Sequence, residues 1–107
     1  MTELIDTAAT KALIEGPPEG LVILDVRAPE EFAAGRLPGA IMINIYEDTF
    51  GDQVLALDRS VPYLVYCKAG SRSRAAAEFM AANGFTDVAD YGGGWLQWSA
   101  SDGPVET

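Results

Sequence analysis

Residues 63–72 read Tyr-Leu-Val-Tyr-Cys-Lys-Ala-Gly-Ser-Arg. The first four form a continuous apolar run, which is typical of a short strand buried on both faces of a sheet. After a short loop that contains Gly70, apolar side chains recur at helical spacing over 72–83, and Gly84 follows where a left-handed cap would end a helix. The segment therefore predicts a strand over 63–66, a tight loop and a helix over 72–83.

The rest of the chain alternates short apolar runs with helical segments in the same way. We predict further strands at 4–5, 21–24, 40–45 and 88–91. We predict further helices from Asp6 or Thr7 to about Glu15, from Pro29 to Gly35, and around 53–57. This alternation indicates an α/β fold, one domain over 1–107, with a mainly parallel central β-sheet and helices on both faces. In such sheets ligands bind at the carboxyl ends of the strands, which is where Cys67 falls.

Composition and charge exclude several classes of function. The 107 residues carry a formal net charge of −9, which argues against nucleic-acid and anionic-membrane partners because phosphate contacts need a broad basic surface. No secretory segment or membrane span is recognisable, so we expect a cytoplasmic protein, and nothing demands more than a monomer. With one cysteine and no histidine, we expect no disulfide, no metal site and no cofactor.

Cys67 is the only cysteine, and its neighbours are unusual for so acidic a chain. Lys68, Arg72 and Arg74 are three of the seven basic residues and lie within seven positions of one another. A thiolate is the reactive form of cysteine, and cations and helix N-termini stabilise it. A free cysteine at the end of an apolar strand is also compatible with simple core packing. The glycine loop and the basic cluster favour a reactive thiol beside a pocket for a small anion.

Three separated stretches resemble the rhodanese family, in its single-domain sulfurtransferase form. They are 24–27 with 29–32 and 35–40, the loop 67–72 with Ser73, and 92–95 with Trp98. Together they cover nearly the whole chain in the family's order. One departure is Arg36, which stands where many members have histidine.

The resemblance implies a sulfurtransferase with Cys67 as its catalytic residue. Cys67 would accept a sulfane sulfur from thiosulfate or a similar small anionic donor, and hold it as a persulfide. The acceptor would be cyanide, a thiol or a dithiol protein. Inward N–H groups of the loop would stabilise the charge, with Lys68 and Arg72 holding the sulfonate group. The expected substrate-binding residues are Lys68, Ala69, Gly70, Ser71 and Arg72.

Two alternative functions stay open. Rhodanese-like domains also act as non-catalytic or sulfur-delivery interaction modules. The related phosphatases and arsenate reductases resemble this loop but place five residues between cysteine and arginine, whereas four separate Cys67 from Arg72 here. The shorter loop favours a cradle for one sulfur atom over one for a tetrahedral phosphate.

Several further residues have structural interpretations. We expect Asp25 to bind backbone N–H groups and Arg27 to form an ion pair, and Arg36 to shape its loop. Arg74 either assists the anion pocket or points into solvent. Trp95 and Trp98 either line the pocket or belong to the core. The glycines at 92–94 are expected to permit unusual backbone angles or a close backbone approach, and not to bind phosphate.

Overall fold

The computed structural model describes residues 2–107 and contains a single five-stranded sheet. The strands are β1 (Thr2–Ile5), β2 (Val22–Asp25), β3 (Ile41–Met42), β4 (Tyr63–Tyr66) and β5 (Val88–Tyr91). Their order across the sheet is β1-β5-β4-β2-β3, and every neighbouring pair is parallel. The predicted α/β class is therefore confirmed.

Five helices cover the two faces of this sheet. They are α1 (Thr7–Glu15), α2 (Pro29–Ala34), α3 (Phe50–Leu55), α4 (Ser71–Ala82) and α5 (Gly94–Ala100). Buried side chains of α3 and α4 pack on one face, whereas the buried Trp98 of α5 and partly buried side chains of α1 and α2 pack on the other. The prediction of helices on both faces is confirmed.

Strand β4 lies in the middle of the sheet, and its pattern explains the continuous apolar run. Tyr63 and Val65 join the cluster under α4, and Leu64 and Tyr66 join the opposite cluster. All four side chains are buried, because a central parallel strand has no solvent-facing side. Cys67 follows Val65 by two residues and lies on the same face as α4.

The ends of α1 and α4 form as the sequence predicts. The Asp6 carboxylate accepts the N–H of Ala9 at 2.9 Å at the start of α1. At the end of α4, Gly84 has a φ of +90° and the Phe85 N–H donates to the Met80 carbonyl at 3.1 Å. This pair of features is a Schellman cap, which returns the chain from the helix toward β5.

Three elements differ from the predictions made for them. Strand β3 spans two residues instead of 40–45, because the chain turns at Asn44, whose side chain accepts the Tyr46 N–H at 3.0 Å. Helix α3 begins at Phe50, a buried residue, instead of near residue 53. Helix α5 was not predicted, because the glycines before it suggest a loop and the helix is stabilised by tertiary contacts, among them the burial of Trp98.

Candidate functional site

Cys67 lies at the carboxyl end of β4, directly before the loop that leads into α4. Its side chain is 0% exposed and packs against the cluster under α4. The sulfur is nevertheless hydrogen-bonded, since the Gly70 N–H donates to Sγ at 3.1 Å. Cys67 is therefore part of the hydrophobic core, and its sulfur also accepts a hydrogen bond from the loop.

The loop geometry depends on Gly70. Its φ is +104°, and a Cβ at this position would lie 2.6 Å from the Gly92 carbonyl oxygen. Only glycine combines this left-handed backbone with such a close approach. The turn at Gly70 directs its amide back at Cys67 and begins α4 at Ser71.

The start of α5 fixes the outer side of the loop. Trp95 and Leu96 donate their N–H groups to the carbonyl oxygens of Cys67 and Lys68, at 2.8 and 3.1 Å. Gly94 has a φ of +58°, and a Cβ there would lie 2.5 Å from the Cys67 carbonyl oxygen. The close backbone approach expected for 92–94 is thus confirmed. These hydrogen bonds tie the start of α5 to the loop that holds Cys67.

The hydrogen bonds around Cys67 favour its thiolate. Burial raises the pKa of the thiol, but the hydroxyl and N–H of Ser73 and the N–H groups of Gly70 and Ala69 lower it by more. The resulting pKa of Cys67 lies below its ordinary value. The stabilising amides belong to residues 69, 70 and 73, so they share only Ala69 and Gly70 with the predicted run over 68–72.

Ser73 is a functional residue to which the sequence analysis assigned no role. It is fully buried in the first turn of α4, and its hydroxyl donates to the Gly70 carbonyl at 3.2 Å. When its single hydrogen is directed at the sulfur instead of at this carbonyl, the hydroxyl lowers the pKa of Cys67. The only signal in the sequence is its place directly after Arg72, where the loop becomes a helix.

Arg72 forms an ion pair with Glu31 beside the loop. Its Nη1 and Nη2 donate to the two carboxylate oxygens of Glu31 at 2.8 and 3.1 Å. The hydrogen bond from Arg72 lowers the pKa of Glu31 to about 2, although partial burial opposes the shift. Nothing local in the sequence connects Glu31 with Arg72, since the two residues are 41 positions apart.

The basic cluster divides when the chain folds. Arg74 is 77% exposed, and its Nε lies 3.6 Å from Glu78, with which it lines the cleft beside Asp90. Lys68 is exposed and forms no ion pair within the described part of the chain, residues 2–107. Of the residues predicted to bind substrate, Lys68, Ala69 and Ser71 are exposed, and Gly70 and Arg72 are half-buried.

Asp25 and Arg27 form a buried ion pair below the site. The guanidinium donates to the Asp25 carboxylate at 2.7 Å and to the Gly35 carbonyl at 2.6 Å. It also lies over the rings of Tyr66 and Trp95, at 5.5 and 5.0 Å. The Asp25 carboxylate accepts the backbone N–H of Arg27 at 2.9 Å. These contacts give both residues structural roles, as expected, and tie β2 to α5.

Arg36 and Trp98 also make structural contacts. Arg36 donates to the Phe32 carbonyl at 3.2 Å and approaches Glu106 at 3.4 Å. Trp98 is fully buried, and its indole N–H donates to the Pro104 carbonyl at 2.9 Å. Trp98 therefore belongs to the core, and Trp95 covers the buried Arg27.

Asp90 is a buried carboxylate that the sequence analysis also missed. It is 5% exposed, and its Oδ1 has no hydrogen-bond partner. Burial raises the pKa of Asp90, and this exceeds the opposing effects of the Ser73 hydroxyl and of Arg74. A half-open cleft of about 480 Å³, lined in part by Asp90 and Gly70, adjoins this carboxylate.

Residues 2–107 contain neither a cluster of metal ligands nor a membrane-spanning helix. No group of three or more His, Cys, Asp or Glu side chains in this range could hold a metal ion. No helix in this range has the length and apolar composition needed to cross a membrane.

Comparisons with known proteins point to one family. The family described as rhodanese-like domain matches residues 6–101. Thiosulfate sulfurtransferase GlpE of Pseudomonas putida is 37% identical over 89 residues, which cover 83% of this chain and 78% of the relative. The crystal structure of a rhodanese-related protein from Thermoplasma volcanium has a TM-score of 0.84 at 31% identity and 97% coverage of both chains. A rhodanese-like domain protein from Staphylococcus aureus has a TM-score of 0.77 at 31% identity, with 90% of each chain covered.

Proposed function

The chain belongs to the rhodanese-like family, and on that premise we propose that it transfers a sulfane sulfur through a persulfide on Cys67. Family membership and the GlpE relatives support sulfurtransferase activity in general. Thiosulfate as a donor, and cyanide, a thiol or a dithiol protein as acceptor, are the finer parts of this proposal. The observation that carries it is the Gly70 N–H directed at the buried sulfur of Cys67, 3.1 Å away.

The first half of the cycle loads the cysteine. The Cys67 thiolate attacks the outer sulfur of thiosulfate, a new S–S bond forms, and the S–S bond of the donor breaks. Sulfite leaves with the electron pair of that bond. Lys68 and the N–H groups of Arg72 that Glu31 leaves free supply positive charge for the departing anion.

The second half of the cycle transfers the terminal sulfur from the Cys67 persulfide to the acceptor. A nucleophile attacks the terminal sulfur of the persulfide, and Cys67 leaves as a thiolate. Cyanide becomes thiocyanate in this step, and a thiolate becomes an organic persulfide. The amides of Ala69, Gly70 and Ser73, which already favour the thiolate, stabilise the anion at the beginning and end of the cycle.

Mass spectrometry of the intact protein tests the proposal. We expect thiosulfate to add one sulfur atom to the chain, located at Cys67, and cyanide or a dithiol to remove it. The Cys67→Ser variant is the control, since it keeps the fold and lacks the nucleophile. If no sulfane donor increases the mass of the wild-type chain, the proposal is wrong.

A further inference from the structure

The ion pair between Arg72 and Glu31, which we call the mouth of the site, limits the positive charge that Arg72 can offer a substrate. Its guanidinium binds both oxygens of Glu31, in the bidentate geometry of the stronger ion pairs. The two side chains are 18% and 27% exposed, so water screens them only in part. An anion that approaches Arg72 therefore also approaches the negative charge of Glu31.

Glu31 is held in this position from both sides. Its Oε1 also accepts the N–H of Ala28 at 3.0 Å, at the start of α2. A carboxylate is favoured there because the N-terminus of a helix carries partial positive charge. If Glu31 swung away to free Arg72, it would lose the cap of α2 together with the ion pair.

The net charge of the side chains around Cys67 is therefore close to zero. Arg72 is balanced by Glu31, and Arg74 is exposed and lies beside Glu78. Within residues 2–107, Lys68 is the one cation of the cluster without an ion-pair partner, and a Cys67 thiolate cancels its charge. Because Coulomb energy scales with the product of charges, Glu31 opposes a dianion about twice as strongly as a monoanion in the same place.

We propose that Glu31 tunes donor specificity: its charge lowers the preference of the site for dianionic thiosulfate relative to sulfane donors with one negative charge, thiosulfonates and organic persulfides. This inference rests on the proposed sulfur transfer through Cys67. The ring of Tyr46 supports it, because this side chain is 70% exposed and lies 5.8 Å from the Arg72 guanidinium. An exposed ring beside the mouth offers contact to the carbon group of an organic donor and nothing comparable to an inorganic anion.

The reaction balances in the same way for each donor. The Cys67 thiolate bonds to the terminal sulfur, and the donor's S–S bond breaks with its electron pair on the leaving group. Thiosulfate releases sulfite, a thiosulfonate releases a sulfinate, and an organic persulfide releases a thiolate. The persulfide on Cys67 is identical in all three reactions, so discrimination arises only when the donor binds and reacts.

Two matched donors test the proposal directly. Methanethiosulfonate differs from thiosulfate by a methyl group in place of one charged oxygen, and both are assayed with cyanide as acceptor. In a double-displacement cycle, kcat/KM for the donor is independent of the acceptor. For Glu31→Gln we expect kcat/KM to rise roughly tenfold with thiosulfate and about threefold with methanethiosulfonate, because half the added charge gives half the change in log rate.

Glu30→Gln is the matched control for this variant. Glu30 lies beside Glu31 in α2, is exposed, and forms no ion pair within the described residues 2–107. Its substitution changes the net charge by the same amount, and we expect the ratio of the two donor rates to stay at the wild-type value.

A second variant keeps the test decisive if Glu31→Gln does not fold. Arg72→Gln leaves Glu31 uncompensated, so the rate with thiosulfate should fall further than the rate with methanethiosulfonate. If both donors change by the same factor in either folded variant, so that the ratio of their kcat/KM values stays at the wild-type value, the proposed role of Glu31 is wrong. Absence of persulfide with both donors in the wild-type chain instead overturns the proposed function itself.

Discussion

The pKa of Cys67 is lowered by two neighbouring backbone amides, those of Ala69 and Gly70, and by the hydroxyl of Ser73, to which no sequence pattern points. The amides of Ala69 and Gly70 follow from the loop itself. The Ser73 hydroxyl, which also lowers the pKa of Cys67, lies in the first turn of α4, where the helix begins at Ser71 and places this side chain against the Gly70 carbonyl. In a chain without histidine, such hydrogen bonds replace the general base that commonly activates a cysteine.

Ser73→Ala tests this contribution at the level of one hydroxyl group. The substitution removes a hydrogen bond that lowers the pKa of Cys67, so that pKa should rise. At pH 7 we expect alkylation of Cys67 by iodoacetamide to slow by about tenfold, as the loss of one hydrogen bond to a charged group implies. Ser99→Ala, at an exposed position of α5, should alkylate at the wild-type rate. Identical pH profiles for wild type and Ser73→Ala would show that the hydroxyl does not act on the sulfur.

Single residues of the site were predicted from the sequence when their signal was local. The sequence places Cys67 after a buried strand and Gly70 in a tight loop, and the structure has both there. Glu31 and Asp90 carry no such signal, since each meets the loop only after distant segments pack together. Their roles depend on partners that periodicity and capping rules do not reveal.

The same division applies to whole elements. Strand β4 and helix α4 have strong internal patterns, a continuous apolar run and a helical repeat, and both form within one residue of the predicted bounds. Helix α5 has glycines at its start and becomes helical because Trp98 is buried and because Trp95 and Leu96 donate to the carbonyl oxygens of the loop that follows β4. Tertiary contacts, which the sequence does not display, override the low helix propensity of glycine.

Gly94→Ala tests whether α5 positions the loop. A Cβ at this residue would lie 2.5 Å from the Cys67 carbonyl oxygen, and its φ of +58° is unfavourable for alanine. We expect unfolding free energy to fall by about 1–3 kcal/mol, and persulfide formation to decrease in the folded fraction because the loop moves. Denaturant unfolding and mass spectrometry after thiosulfate treatment measure the two effects.

Gly51→Ala is the control for a glycine without these constraints. It lies in α3, and a Cβ there would meet only the Phe79 ring, at an ordinary contact distance of 3.5 Å. Alanine should leave stability unchanged or raise it by up to about 1 kcal/mol. Equal behaviour of the two variants would mean that α5 does not constrain the loop.

For the whole molecule, stability depends on pH through two carboxylates with opposite shifts. The pKa of Glu31 is lowered to about 2 by Arg72. Its contribution to folding is present above the ordinary pKa of glutamate and is lost as the pH falls through about 2. Asp90 has a pKa raised chiefly by burial, so its contribution is present below the ordinary pKa of aspartate and is lost as the pH rises through the folded-state value.

Asp90→Asn should therefore stabilise the protein near pH 7. The substitution removes the free-energy cost of burying an ionised carboxylate. The groups that act on Asp90 from α4, which are the Ser73 hydroxyl and the charges of Arg74 and Glu78, then face a neutral amide. We expect Tm to rise by roughly 4 °C at pH 7, as about 1 kcal/mol gives for a domain of this size, and the gain to vanish near pH 3. Asp87→Asn, at an exposed position before β5, removes the same charge from a chain of net charge −9 and should leave Tm almost unchanged at both pH values. If the two variants gave equal gains, relief of overall repulsion would explain them, and the buried Asp90 carboxylate would have no separate cost.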